Sequence, residues 1–316
     1  MEHDIDTLVK RFRQSPMIKE VQFGDISSFN FTRKAFYDSQ WNDLTVRARG
    51  LFIDTYHNEI VCRGYDKFFN IDERRETERE NLRKTLLFPV TAYIKENGFL
   101  GMISYNWETG GLRFATKSRL DGKYVELLKE VFYSDPDINR QRVATTLKNL
   151  DATLLVEVID PDNDPHIIEY SKPAIVALDI VINVQSFRHV NPFSLTVLAD
   201  YMGMDCKKTY YTYDSWDELE SDINQWEDEG YRLKGYPIEG FVLEDKSGFM
   251  VKVKTGYYKL WKYRRSLIGK VINGKYQMGT DEFGDWLVGT HQQNPLLGTE
   301  SIISLRKVYR YFNGGD

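Results

Sequence analysis

Four short segments of this chain hold side chains suited to nucleophilic and phosphate chemistry. Lys95-Glu96-Asn97-Gly98 puts a lysine at the end of an apolar run, directly before a glycine turn. Burial and cationic neighbours push such a lysine toward the neutral amine that a nucleophile needs. Taken alone, the tetrapeptide describes an ordinary hairpin just as well. Val251-Lys252-Val253-Lys254 alternates, so a strand there turns both ammonium groups to one face and both valines to the other. Two cations aimed one way suit a phosphate or another anion; the same pattern also fits an amphipathic surface strand. Glu157 stands inside the apolar run 154–159, where a carboxylate is costly unless it is paired or bound to a metal. Glu239 opens Glu239-Gly240-Phe241-Val242, and with Glu157 it offers the oxygen ligands that Mg²⁺ favours.

The surrounding pattern names the elements that must position these groups. Residues 88–94 and 100–107 read as strands flanking the lysine turn, followed by a Thr109-Gly110-Gly111 turn and a strand over 112–116. Apolar spacing at Tyr124, Leu127, Leu128 and Val131 predicts a helix over 121–133, with a second over 138–150. Strands are expected at 153–159, 166–170, 175–183, 240–244 and 248–254, so both glutamates and the lysine pair fall on or beside strands. Upstream, 6–13 has weak helical spacing, and 46–54 and 59–64 read as strands around a turn at Tyr56-His57-Asn58. A helix over 192–202 has Asn191 as cap and Pro192 in first position. Another over 215–226 has Ser215 and Glu218 in a capping-box pattern. The charged stretch 72–84 reads as a solvated connection or short helix. Antiparallel strand pairs with inserted helices make the class α+β.

Composition sets the outer bounds. A chain of 316 residues with 41% hydrophobic content can bury a proper core, which excludes a disordered protein. The net charge of −5 gives no global attraction for nucleic acid, so any such binding must use a local basic groove. Cys62 and Cys206 lie outside any CxxC or Cys/His cluster, which argues against structural zinc and against a disulfide framework. The opening Met1-Glu2-His3-Asp4 is acidic and lacks an apolar signal region. No apolar run approaches the roughly 20 residues of a membrane span. The expectation is a cytoplasmic protein with no membrane partner.

The order Lys, Glu, Glu-Gly, Lys-x-Lys resembles that of the covalent nucleotidyltransferases: DNA ligases, RNA ligases and mRNA capping enzymes. Arg47-Ala48-Arg49-Gly50-Leu51-Phe52 and Arg63-Gly64-Tyr65-Asp66-Lys67-Phe68-Phe69-Asn70 sharpen the likeness. They are similar to the ligase domain of fungal and plant tRNA splicing ligases and to the first family of phage RNA ligases. Ala115-Thr116-Lys117-Ser118, Glu157-Val158, 166–170 and 249–254 continue it, over roughly 44–265. The Lys-Phe-Phe-Asn element, combined with the rest, is specific to this branch.

The resemblance implies an antiparallel-sheet ligase core, unrelated to ATP-grasp, over residues 1–256, with a small, mostly helical C-terminal appendage over 257–316. It implies an ATP-dependent RNA ligase that joins 5′-phosphate and 3′-hydroxyl ends, with broken tRNA as a natural substrate. Lys95 matches the lysine that takes AMP from ATP. Lys252 and Lys254 match the pair on the α-phosphate. Arg49, Lys67 and Lys117 match basic residues near the ATP phosphates or the RNA 5′-phosphate. Glu157 and Glu239 match carboxylates on the ribose or on Mg²⁺, for which Mn²⁺ substitutes. Glu96, Asn97 and Gly98 flank the nucleotide. Asn97 departs from the commoner Lys-x-Asp-Gly form and leaves one fewer negative charge. His166 is expected to be structural. The segment 257–265 suits either base stacking or an amphipathic closing helix. No phosphate-loop or paired His-x-Thr segment is evident, so end healing is expected from a separate kinase or phosphatase. The rival readings are a DNA ligase, a GTP-dependent capping-type enzyme and a catalytically silent RNA-binding module.

Overall fold

The computed structural model describes residues 4–293 and 300–313; the start of the acidic opening, Met1-Glu2-His3, lies outside the described residues. The class is α+β, and the chain forms two compact units, each assembled from separated segments. Unit 1 comprises Met1–Phe68, Gly98–Asp160 and Lys172–Lys207; unit 2 comprises Phe69–Asn97, Pro161–Ser171 and Lys208–Asp316.

Unit 1 contains two sheets. The first runs in the order β1 (Ile18–Phe23), β2 (Ile26–Phe31), β3 (Leu51–Asp54), β4 (Glu59–Arg63), all antiparallel. Helix α1 (Ile5–Gln14), capped by the Asp4 side chain, buries Leu8, Val9 and Phe12 with Phe29, Leu51, Ile53 and Ile60 of this sheet. The second sheet has the order β11 (Asp205–Cys206), β10 (Ala174–Ile182), β9 (Ala152–Ile159), β7 (Phe99–Asn106), β8 (Gly111–Thr116). Helices α5 (Lys123–Ser134), α6 (Arg140–Leu150) and α7 (Pro192–Met202) supply apolar stripes to the core that takes Leu154, Val156 and Val158 from β9. Side chains alternate along a strand, so Glu157 points to the opposite face from those three. The whole of β9 is buried, which is why its sequence runs apolar on both faces.

Unit 2 holds a single sheet in the order β12 (Thr209–Tyr213), β6 (Val90–Lys95), β13 (Gly240–Glu244), β14 (Met250–Lys254), β5 (Phe69–Asn70). Helices α4 (Arg79–Thr85) and α8 (Trp216–Trp226) cover it; Trp226 stacks on Phe241 with centroids 3.9 Å apart. A separate core joins α9 (Gly256–Ile272), α10 (Glu282–Gln293) and α11 (Ile302–Asn313) to Ile167 and Ile168.

The pattern misses several elements. The strand expected from residue 46 begins at Leu51, because α3 (Asp43–Arg47), capped by Asn42 with a reciprocal Thr45 bond, takes the preceding stretch. α2 (Arg33–Tyr37) and strands β1, β2, β5, β11 and β12 were not expected at all. The strand expected at 166–170 is irregular, because the N–H groups of Ile167 and Ile168 donate to the Asn97 side chain instead of a ladder. No described helix is long and apolar enough to cross a membrane.

Candidate functional site

Register brings the lysines of unit 2 together. Gly240 of β13 pairs with Lys95 on β6 and with Lys254 on β14, so three neighbouring strands carry the two lysines at one level. Glu239 immediately precedes that glycine. Lys95 Nζ lies 3.0 Å from Glu239 Oε2, and Lys254 Nζ 3.3 Å from Oε1. Only a glycine fits between them, since a Cβ on Gly240 would stand 2.0 Å from the Val253 carbonyl oxygen. Val251 and Val253 are fully buried while Lys252 and Lys254 are part-exposed, the alternation that the Val-Lys-Val-Lys run requires. Lys252 pairs across the ladder with Val242.

Glu239 is only 4% exposed. Burial works against its charge, but the ammonium groups of Lys95 and Lys254 and their hydrogen bonds outweigh it and hold the carboxyl below the usual range. Lys254 is shifted down, by burial first and by Lys262 and Lys95 after, against the pull of Glu239. Its ammonium also sits 4.7 Å from the Tyr258 ring centroid. The Tyr258 hydroxyl is pushed up to about 12 by burial and by Glu239.

The turn after Lys95 is bound on every side. The Asn97 amide donates to Glu239 Oε2 at 2.9 Å, and its oxygen accepts from the N–H groups of Ile167 and Ile168 at 3.1 and 3.0 Å. The Tyr170 hydroxyl accepts from the Asn97 N–H and donates to the Glu96 carboxylate. Lys95 Nζ also donates to the Glu96 carbonyl at 3.3 Å. His166 pairs with Asp164 at 2.8 Å.

Unit 1 holds the remaining motif residues. Glu157 Oε1 accepts from the Gly98 N–H at 2.8 Å, and a Cβ on Gly98 would lie 2.0 Å from the Val158 carbonyl oxygen. Arg49, at the end of the turn before β3, donates to the Tyr65 carbonyl at 3.4 Å. Desolvation lowers its guanidinium, and Tyr65, Glu157 and Asp66 oppose that shift. Lys117 follows β8. Its surface is exposed, yet protein crowds it on several sides; that crowding first, and then Arg49, Lys19 and Lys67, put its ammonium below the ordinary lysine value. Lys67 lies over the Trp41 ring at 4.9 Å.

Lys95, Glu239 and Lys254 therefore meet in unit 2, with Lys252 on the same strand face. In unit 1, Arg49 is within electrostatic reach of Glu157, and Lys117 within reach of Arg49 and Lys67. Among the described residues no group of three or more His, Cys, Asp or Glu is placed to hold a metal. Tyr170 and Tyr258 touch the nucleophile turn or its lysine pair, and neither was singled out from the sequence. Tyr170 lay within a segment read as a strand, and its hydroxyl reaches Asn97 across a sequence separation of 73, which no local spacing reveals.

A family model described as RNA ligase matches residues 47–258. A tRNA ligase of Candida albicans is 27% identical over 274 residues, covering 73% of this chain and 32% of its own length. A tRNA ligase 1 of Schizosaccharomyces pombe is 26% identical over 262 residues, with the same coverage. The chain thus spans about a third of the length of the curated relatives it matches. An archaeal ATP-dependent RNA ligase superposes with a TM-score of 0.54 at 16% identity, covering 96% of this chain and 74% of that one. A putative ATP-dependent DNA ligase from Aquifex aeolicus gives 0.57 at 15%, covering 96% and 75%. Both structures share the antiparallel α+β fold.

Proposed function

This chain belongs to the RNA ligase family, and from that premise we propose that it joins RNA ends through an adenylate carried on Lys95. The observation that carries the reading is the buried Glu239 carboxylate shared by Lys95 and Lys254, on the two strands that flank β13.

In the proposed first step, Lys95 Nζ attacks the α-phosphorus of ATP, an N–P bond forms, and pyrophosphate leaves with the α–β bridging oxygen. The proton that Nζ must lose passes to solvent, and Glu239 Oε2, 3.0 Å away, fixes the position of Nζ. Lys254 and Lys252 neutralise charge on the α-phosphate; such fixed charges stabilise an in-line displacement more than they would in water. An RNA 5′-phosphate oxygen then attacks the lysine-bound phosphorus and releases the amine. The RNA 3′-hydroxyl finally attacks the 5′-phosphorus, and AMP leaves. Arg49, Lys67 and Lys117 gather positive charge for the ATP or RNA phosphates. Glu157 in unit 1 and Glu239 in unit 2 are each proposed as carboxylates for a divalent cation, magnesium foremost with manganese as substitute, which would neutralise phosphate charge.

Broken tRNA in the cytoplasm is the proposed substrate, because both curated relatives are named tRNA ligases. End-healing would come from a kinase or phosphatase acting beside the ligase. Intact mass spectrometry after incubation with ATP and Mg²⁺ tests the chemistry. One AMP adduct is expected on the native protein and none on Lys95→Ala; nucleotide-free native protein that never gains an adduct defeats the proposal. Labelling by GTP instead would favour a capping-type enzyme, and sealing of nicked duplex DNA a DNA ligase.

A further inference from the structure

The two motif cations Lys67 and Lys117 lie against aromatic rings that no motif contains. Lys67 Nζ is 5.7 Å from the centroid of Phe36 and 4.9 Å from that of Trp41, and Lys117 Nζ is 5.5 Å from that of Phe31. The rings form one cluster: Phe31 meets Trp41 edge-on at 5.0 Å and lies near-parallel to Phe36 at 6.4 Å, and Phe36 meets Tyr37 edge-on at 5.4 Å. Phe31, Phe36 and Tyr37 border a cavity of about 320 Å³ whose wall includes Lys19, Arg33 and Lys117. The strand pairing explains part of this convergence, since Lys19 of β1 stands opposite Asn30 of β2, beside Phe31.

Burial does not account for the cluster. Phe36 is 46% exposed and Tyr37 77% exposed, and both stand on the five-residue α2 that opens onto the cavity. Exposed rings interleaved with basic side chains are the arrangement that binds single-stranded nucleic acid, with rings for the bases and cations for the phosphates. The volume suits one nucleotide.

We propose that this cavity seats a nucleotide of the single-stranded RNA substrate, with the base on Phe36 and Tyr37 and the backbone phosphate among Lys19, Arg33 and Lys117. The site specifies RNA substrate rather than ATP. It rests on the ligase reading above, but its test does not pass through the adenylate.

The probe is a 5′-phosphorylated, fluorescently labelled oligouridylate, with binding read by anisotropy on the full chain without ATP. Phe36→Ala/Tyr37→Ala is expected to weaken binding about 5- to 100-fold, as the loss of base–aromatic stacking does elsewhere. Lys19→Glu, at an exposed strand position, is expected to weaken it as well. Tyr311→Ala, an exposed ring on α11, is the control expected to leave affinity unchanged. Thermal melting of each variant verifies folding. Unchanged RNA affinity in folded Phe36→Ala/Tyr37→Ala overturns the proposal. So does a raised KM for ATP in lysyl-AMP formation without loss of RNA affinity, which would reassign the cavity to the nucleotide donor. Absence of any lysyl-AMP on native protein would instead defeat the ligase reading and leave the RNA measurement standing.

Discussion

At position 97 an amide does what a carboxylate cannot. Its nitrogen donates to the buried Glu239 while its oxygen accepts from two backbone N–H groups. An aspartate there would keep the acceptor bonds, lose the donor, and set a second negative charge beside Glu239. Asn97→Asp should therefore cost on the order of 1–3 kcal/mol at neutral pH, the range for a buried hydrogen bond broken on one side. Differential scanning calorimetry would read this as a Tm lower by a few degrees; an unchanged Tm would show that Glu239 is satisfied without the amide. Glu239 gives a prediction with a pH sign. Its carboxyl is held below the ordinary 4.5, so its contribution is full above that value and is lost as pH falls through the folded value. The stability gap between native protein and Glu239→Gln should be widest above pH 4.5 and close on acidification. Tm against pH for the two proteins checks it, and a gap that widened toward acid would reverse the assignment. Gly98 and Gly240 tolerate no Cβ for want of space, so Gly98→Ala should lower both Tm and adenylate yield. Intact mass and melting curves of that variant would show whether the backbone gives way.

The C-terminal helices connect to the nucleophile turn through one short segment of unit 2. Arg306 on α11, only 3% exposed, donates to the Ile167 carbonyl at 2.8 Å, and Ile167 in turn donates its N–H to Asn97. Lys307 of the same helix pairs with Glu169, and Ile167 and Ile168 pack against Tyr257, Trp261 and Leu305. Arg306→Met keeps the bulk but strands the Ile167 carbonyl, so a loss of about 1–3 kcal/mol is expected. A slower rate of lysyl-AMP formation should accompany it if this helix positions the turn. Quench-flow labelling beside a melting curve separates the two effects, and a stability loss with an unaltered rate would make α11 a purely structural prop. This linkage explains what the sequence could and could not reveal. The Val-Lys-Val-Lys alternation, the apolar β9 and the Asn191-Pro192 cap are local patterns, and each appeared where the pattern put it. The buried Tyr257, Tyr258 and Trp261 likewise make 257–265 the amphipathic closing helix, one of its two expected readings. The strand order that sets Gly240 between Lys95 and Lys254 depends on long-range pairing, which spacing does not encode. Strand β1 is polar at Lys19, Glu20 and Gln22 because it lies at a sheet edge, so it lacked the apolar signature of a strand. Residues 166–170 are rich in β-branched and aromatic types but serve side-chain partners, a tertiary override of β-propensity.

Across the whole chain, acidic residues outnumber basic ones, 47 against 42, so the net field repels a polyanion. The proposed RNA affinity must then come from local convergence of cations, as at Arg49, Lys67, Lys117 and Lys19; burial first, and then Arg49, Lys19 and Lys67, lower the Lys117 ammonium. Local binding of this kind predicts a particular salt response. Each phosphate neutralised on a single strand contributes about −0.7 to the slope of log K against log salt. A site that engages two or three phosphates should therefore show a slope of about −1.4 to −2.1. A broad positive surface contacting six or more would exceed about −4. Titration of a 5′-phosphorylated single strand over a range of NaCl concentrations measures the slope directly, and Lys19→Ala should make it shallower by about 0.7. A steep slope untouched by Lys19→Ala would place the phosphate contacts elsewhere on the chain. A slope near zero would mean that the acidic surface cancels the cluster and that stacking alone holds the strand.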